Sequence, residues 1–143
     1  MGIAFTTQIK NIIEPILAKF GYRVSSESSN FVEYSSDSIT LSFFYDERER
    51  SSNFTMTFGD NQWVPFDDEI LLSAFGTKKK IEQVPVSKFV ASLAEFFLNE
   101  GAQVLRGDES EKERLILYNE ERSERYTQQI RAQQSKPWNY KVR

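Results

Sequence analysis

The chain has 143 residues, with a hydrophobic fraction of 39%, a charged fraction of 27% and a net charge of −3, which suits one globular domain rather than a disordered or membrane-spanning chain. It contains no cysteine and no histidine, which excludes thiol nucleophiles, disulfides, imidazole bases and His- or Cys-ligated zinc. Twelve phenylalanines, each able to bury about 150–250 Å², provide a core without such staples.

The first element is a helix from about Thr7 to Phe20. Ile9, Ile12, Ile13, Ile16, Leu17 and Phe20 recur at the spacing of one helical face. Thr6 or Thr7 is placed to cap it, Gly21 to end it in the left-handed conformation, and Pro15 to kink it or remove a hydrogen bond.

From Tyr22 the apolar period becomes two. Tyr22 and Val24, then Val32 and Tyr34, then Ile39, Leu41, Phe43 and Tyr45, then Phe54, Met56 and Phe58 mark four strands. "ESSN" and "SSDS" are turns between them, and the charged stretch Asp46–Ser52 is a hairpin loop of about seven residues. The expected fold is α+β: a four-stranded antiparallel meander with an N-terminal helix and C-terminal helices on one face. The other face carries Thr40, Ser42, Thr55, Thr57 and Phe44, a hydroxyl platform with an aromatic on it.

After Gly59, Asp67 caps a short helix over Asp68–Phe75 ended by Gly76. A more apolar helix opens at Pro85 or Ser87, with Val86, Phe89, Val90, Leu93, Phe96 and Phe97 over a wide arc, and ends before Gly101. Gln103–Gly107 is a link. The last helix, about Asp108 to Gln134, starts on a capping-box spacing, Asp108 and Glu111. Its apolar stripe, Leu115, Tyr118, Tyr126 and Ile130, is thin and interrupted by Arg122, so its first half packs and its second half projects. Residues 1–134 form the domain, and 135–143 is a tail carrying Trp138 and Tyr140.

The chemistry-bearing motifs are few. There is no G-x-S-x-G elbow, no P-loop and no G-x-G-x-x-G. Asp60, Asp67, Asp68 and Glu69 are the densest carboxylates. They give one alternative, a divalent-metal-dependent hydrolase, at a spacing that equally serves helix capping. Asp46 and Glu47 with Asp60 are a candidate acid–base pair, weakened by Arg48 and Arg50 beside them. A second alternative is a structural or oligomeric subunit pairing through the last helix. The reading preferred from the residues is a non-enzymatic protein-binding module without cofactor or metal. Its partner-binding residues are Phe44, Asp46, Glu47, Arg48, Asp60, Trp138 and Tyr140. The chain carries no basic footprint for nucleic acid, no apolar run of membrane length and no secretory signal at its N-terminus, so the expected location is the cytoplasm.

The order of elements, with "SITLSFFYDERE" at the hairpin and "FFLNEGAQVLRGD" leading into the last helix, resembles small bacterial α+β proteins, among them immunity proteins that neutralise polymorphic toxins by direct binding. The likeness is of layout over most of the chain and carries no residue roles. It implies an inhibitor of a basic toxin domain, such as a nuclease.

Overall fold

The computed structural model describes residues 4–59 and 62–134. Helix α1 covers residues 5–19 in three continuous pieces: an α-turn Phe5–Gln8, a π-turn Ile9–Ile13 and an α-segment Glu14–Lys19. The π-turn shows how the helix accommodates Pro15. It widens just before the proline, with the Glu14 N–H bonding to the Ile9 carbonyl, and the helix resumes without a break. The extra residue rotates the apolar face, so Ile9, Ile13 and Leu17 are fully buried while Ile12 points to solvent. Neither threonine caps the start. Thr6 donates instead to the Ser28 carbonyl, at 2.8 Å. Gly21 ends the helix with φ +89°, in the region that favours glycine.

The sheet has five strands rather than the four expected: β1 Arg23–Ser28, β2 Phe31–Ser35, β3 Ile39–Asp46, β4 Ser51–Phe58 and β5 Gln62–Pro65. They follow one another in space in the order β1-β2-β3-β4-β5, all antiparallel. The added strand is four residues long with a single buried side chain, Val64, too short for a two-residue period to register. Its Pro65 is tolerated because β5 is an edge. The hairpin loop between β3 and β4 is four residues, Glu47–Arg50, shorter than the sequence pattern suggests, because pairing runs out to Asp46 and Ser51.

The alternation read from the sequence sorts the two faces. Val32, Tyr34, Ile39, Leu41, Phe43, Phe54, Met56, Phe58 and Val64 are all buried on one of them. Against that face pack α1, α2 (Asp68–Phe75), α3 (Val86–Leu98), a single turn α4 (Ala102–Leu105) and α5 (Glu109–Gln134). The centre is aromatic. Phe54 stacks on Phe43 at 4.9 Å and meets Phe97 edge-on at 5.3 Å and Phe66 at 4.8 Å. Such geometry adds about 0.5–1.5 kcal/mol per pair to simple burial. α4 occupies the stretch expected as a bare link, because Val104 and Leu105 are buried and the Tyr22 hydroxyl donates to the Leu105 carbonyl at 2.9 Å.

α5 docks through its first half. Asp108 caps it by accepting from the Glu111 N–H at 3.1 Å, but the Glu111 carboxylate turns to Arg114 rather than back to the cap, so only half of the capping box forms. Arg114 donates to the Ala74 carbonyl at the end of α2 and lies over the Phe75 ring at 5.3 Å. Arg122 pairs with Asp67 at the start of α2 at 2.8 Å. The two arginines are eight residues apart and their partners Asp67 and Ala74 seven, so at ~1.5 Å per residue the intervals match at about 12 and about 10 Å. The interruption of the stripe at Arg122 is therefore a polar clamp on the neighbouring helix. From Ser123 through Gln133 the helix is exposed.

Candidate functional site

Among the described residues every helix lies on one side of the sheet, so none of these helices covers the hydroxyl face. Strand register sets its side chains in rows. One row runs Arg23, Ser35, Thr40, Thr57, Trp63. The next runs Ser26, Glu33, Ser42, Thr55, Pro65. A third holds Ser28, Phe31, Phe44, Asn53. Trp63 is 61% exposed and Phe44 45%. They stand two strands and four residues apart, roughly 16 Å corner to corner from strand spacing and rise. Phe31 and Phe44 are directly opposite each other across β2 and β3, which makes an aromatic pair at one end of the face.

Between these anchors the surface is a connected hydroxyl net. Ser35 donates to Ser25 at 3.1 Å and lies 3.3 Å from Thr40. Ser25 donates to one carboxylate oxygen of Glu33 at 2.9 Å, and Ser42 to the other at 3.3 Å. Ser25 reaches Glu33 because the register of β1 slips between Val24 and Ser26, a bulge that re-aims the side chain. Glu33 is thus a half-buried carboxylate fixed by hydroxyls. Among the described residues it has no Lys or Arg partner.

The hairpin loop is polar and internally bonded. The Asp46 carboxylate accepts from the N–H groups of Arg48 and Glu49, at 2.9 and 3.1 Å, the side-chain turn typical of aspartate. Glu47 accepts from Asn30 at 2.6 Å and so ties the β3–β4 loop to the end of the β1–β2 hairpin. Arg48 is exposed, and Arg50 closes the loop with φ +52°. Of the residues singled out from the sequence, Phe44 stands on the open face, Asp46 ends β3 on that side, and Glu47 and Arg48 lie at its rim. Asp60, Trp138 and Tyr140 lie outside the described residues.

The acid–base pairing of Asp46 or Glu47 with Asp60 turns on a residue outside those described. The carboxylates at α2 diverge. Asp67 caps the Ile70 N–H and pairs with Arg122. Asp68 accepts from the N–H groups of Ile81 and Glu82 at 2.7 and 3.2 Å. Glu69 accepts from the Tyr118 hydroxyl at 3.1 Å. Among the described residues no group of three or more potential ligands converges on a metal position, and none of their helices is long and apolar enough to cross a membrane.

Trp63, the most exposed large residue of the face, was invisible as a site residue from the sequence. It sits in "DNQWVPF", where strand and loop read alike. The signal that finds it is its alternation with Val64, usable only once β5 is recognised. No family model, no curated protein and no solved structure matches this chain.

Proposed function

We propose that this chain is a non-enzymatic protein-binding module that docks a partner on its open sheet face, in the manner of an immunity-type inhibitor of a bacterial toxin acting in the cytoplasm. One observation supports it above the others: the face left free by all the helices carries Trp63 at one corner and the Phe31–Phe44 pair at another, with adaptable hydroxyls between them. Exposed Trp and Phe set in a flat surface are the side chains that anchor interfaces, because they bury large area at small entropic cost. Five strands at ~4.8 Å and about five residues of ~3.3 Å give a patch near 400 Å² in outline, which its side chains raise toward the ~800 Å² per partner of a standard interface. Of the carboxylates that a hydrolase reading requires, Asp67, Asp68 and Glu69 are committed to a helix cap and an arginine, to loop N–H groups and to a tyrosine hydroxyl in turn, which favours binding over hydrolysis.

The test is capture from a lysate of the source organism on the immobilised wild-type chain and on the Phe44→Ala/Trp63→Ala double variant, read by mass spectrometry. The expected result is one stoichiometric, basic partner held by the wild type and released by the double variant. A partner held equally by both, or none held by the wild type, overturns the assignment of the face.

A further inference from the structure

The open face carries Glu33, a fixed carboxylate that no Lys or Arg among the described residues pairs with. Glu33 sits one row from Phe31 on its own strand and roughly 8 Å, by strand spacing, from Phe44 on the next. Ser25 and Ser42 hold both of its oxygens in place, yet each oxygen keeps a lone pair free. Arg23 shares the face, but register puts it opposite Ser35, in a different row. A partner that covers this surface removes water from Glu33, and hydroxyl donors alone do not offset the loss of solvent around a carboxylate. Docking therefore demands a cation from the partner. The neighbouring aromatic pair favours the same group, since a guanidinium that bonds a carboxylate also lies well over a phenyl ring.

We infer that the Glu33–Phe31–Phe44 corner is the socket for an arginine of the partner and is the residue set that determines which partner is accepted. The inference rests on the proposed docking role of this face and specifies its chemistry. A Gln at position 33 removes the charge, keeps a carbonyl acceptor for one of the two serines and turns its NH2 to the other, whose hydroxyl can rotate to accept, so Glu33→Gln isolates the electrostatic requirement.

The experiment uses the full chain and random twelve-residue peptides displayed on phage, selected on the wild type and screened against Phe44→Ala/Trp63→Ala. Synthetic versions of the face-dependent peptides are then titrated calorimetrically against the wild type and Glu33→Gln, each with its arginine intact or replaced by the neutral isostere citrulline. The expected result is an arginine beside an apolar residue in the selected peptides. Glu33→Gln and citrulline should each weaken binding at least about tenfold and together little more than either alone, as coupled partners do. Face-dependent peptides that lack a cation, or that bind Glu33→Gln as well as the wild type, overturn the arginine socket and leave the docking face standing. Peptides that bind the double variant as well as the wild type, or a selection that yields none, overturn both.

Discussion

Arg122 is where a break in the apolar stripe of α5 becomes a structural clamp, and its worth can be worked from the contacts. Its guanidinium bonds both oxygens of Asp67, at 2.8 and 3.0 Å, the Pro65 carbonyl at 3.3 Å and the Asn119 side chain at 3.0 Å. The Arg122 side chain is 17% exposed and that of Asp67 35%. An exposed pair contributes at most about 1 kcal/mol, and breaking a fully buried one costs about 3–5 kcal/mol. This half-buried bidentate pair lies between, so Arg122→Ala should cost about 2 kcal/mol. Asp67→Ala loses the same pair and also the cap on Ile70 N–H, worth about 1 kcal/mol, for a total near 3 kcal/mol. The double variant should cost about 3–4 kcal/mol rather than the sum, a coupling of about 1–2 kcal/mol. Urea unfolding followed by circular dichroism measures all four proteins, provided the m-values agree. A coupling within about 0.3–0.5 kcal/mol of zero, the scatter of independent sites, would refute the clamp and leave α5 held by Leu115 and its apolar neighbours alone.

Three further substitutions test the core. A Cβ on Gly101 falls 2.6 Å from the ring of Phe96, which is fully buried and has nowhere to move, so Gly101→Ala should cost about 1–3 kcal/mol by overpacking and lower the melting temperature by several degrees. Phe54→Ala opens a void among Phe43, Phe66 and Phe97 and should cost about 3–5 kcal/mol in the same urea assay. Burial pushes the Tyr22 hydroxyl up to about 12. Because the folded value lies above the unfolded value of about 10, its contribution is complete below pH 10 and is lost as pH rises through 12. Tyr22→Phe should therefore be less stable than wild type near pH 8, by about 1 kcal/mol for the lost bond to Leu105, with the gap closing between pH 10 and 12. A gap independent of pH over that window would count against the buried neutral phenol.

The alternation of Ile39, Leu41 and Phe43 and of Phe54, Met56 and Phe58 was enough to predict the core face of β3 and β4, because eight residues of strict period two leave one solution. β1 was harder to read. Its bulge at Ser25 shifts the register midway, so the alternation begun at Tyr22 and Val24 does not continue, and Glu27 and Ser28 of the supposed turn "ESSN" are strand residues. β5 offers one buried side chain in four residues and no period at all. The π-turn in α1 follows from Pro15 in kind, but the sequence does not say which turn absorbs it. The hydroxyl face was legible in the pattern. Whether helices cover it depends on long-range packing, as does the company of Glu33, which unites β1, β2 and β3.

A sheet with an uncovered face also has two edges, and how those edges are treated bears on how a partner can approach. Along β5, Asn119 and Arg122 of α5 donate to the carbonyls of Trp63 and Pro65, at 3.4 and 3.3 Å, so two outward carbonyls of that edge are taken. Along β1, Thr6 takes the Ser28 carbonyl, the bulge breaks the ladder, and apart from Val24 the side chains are Arg, Ser and Glu. Each of these discourages strand addition. A partner that uses this sheet must then meet its side chains rather than extend its ladder. Hydrogen exchange of the complex distinguishes the two modes. Face docking leaves the outward N–H groups of β1 exchanging as in the free chain, whereas strand addition protects alternate ones by orders of magnitude. Protection of that alternating set would show that the partner binds the edge, and the aromatic corners would then have to be explained without it.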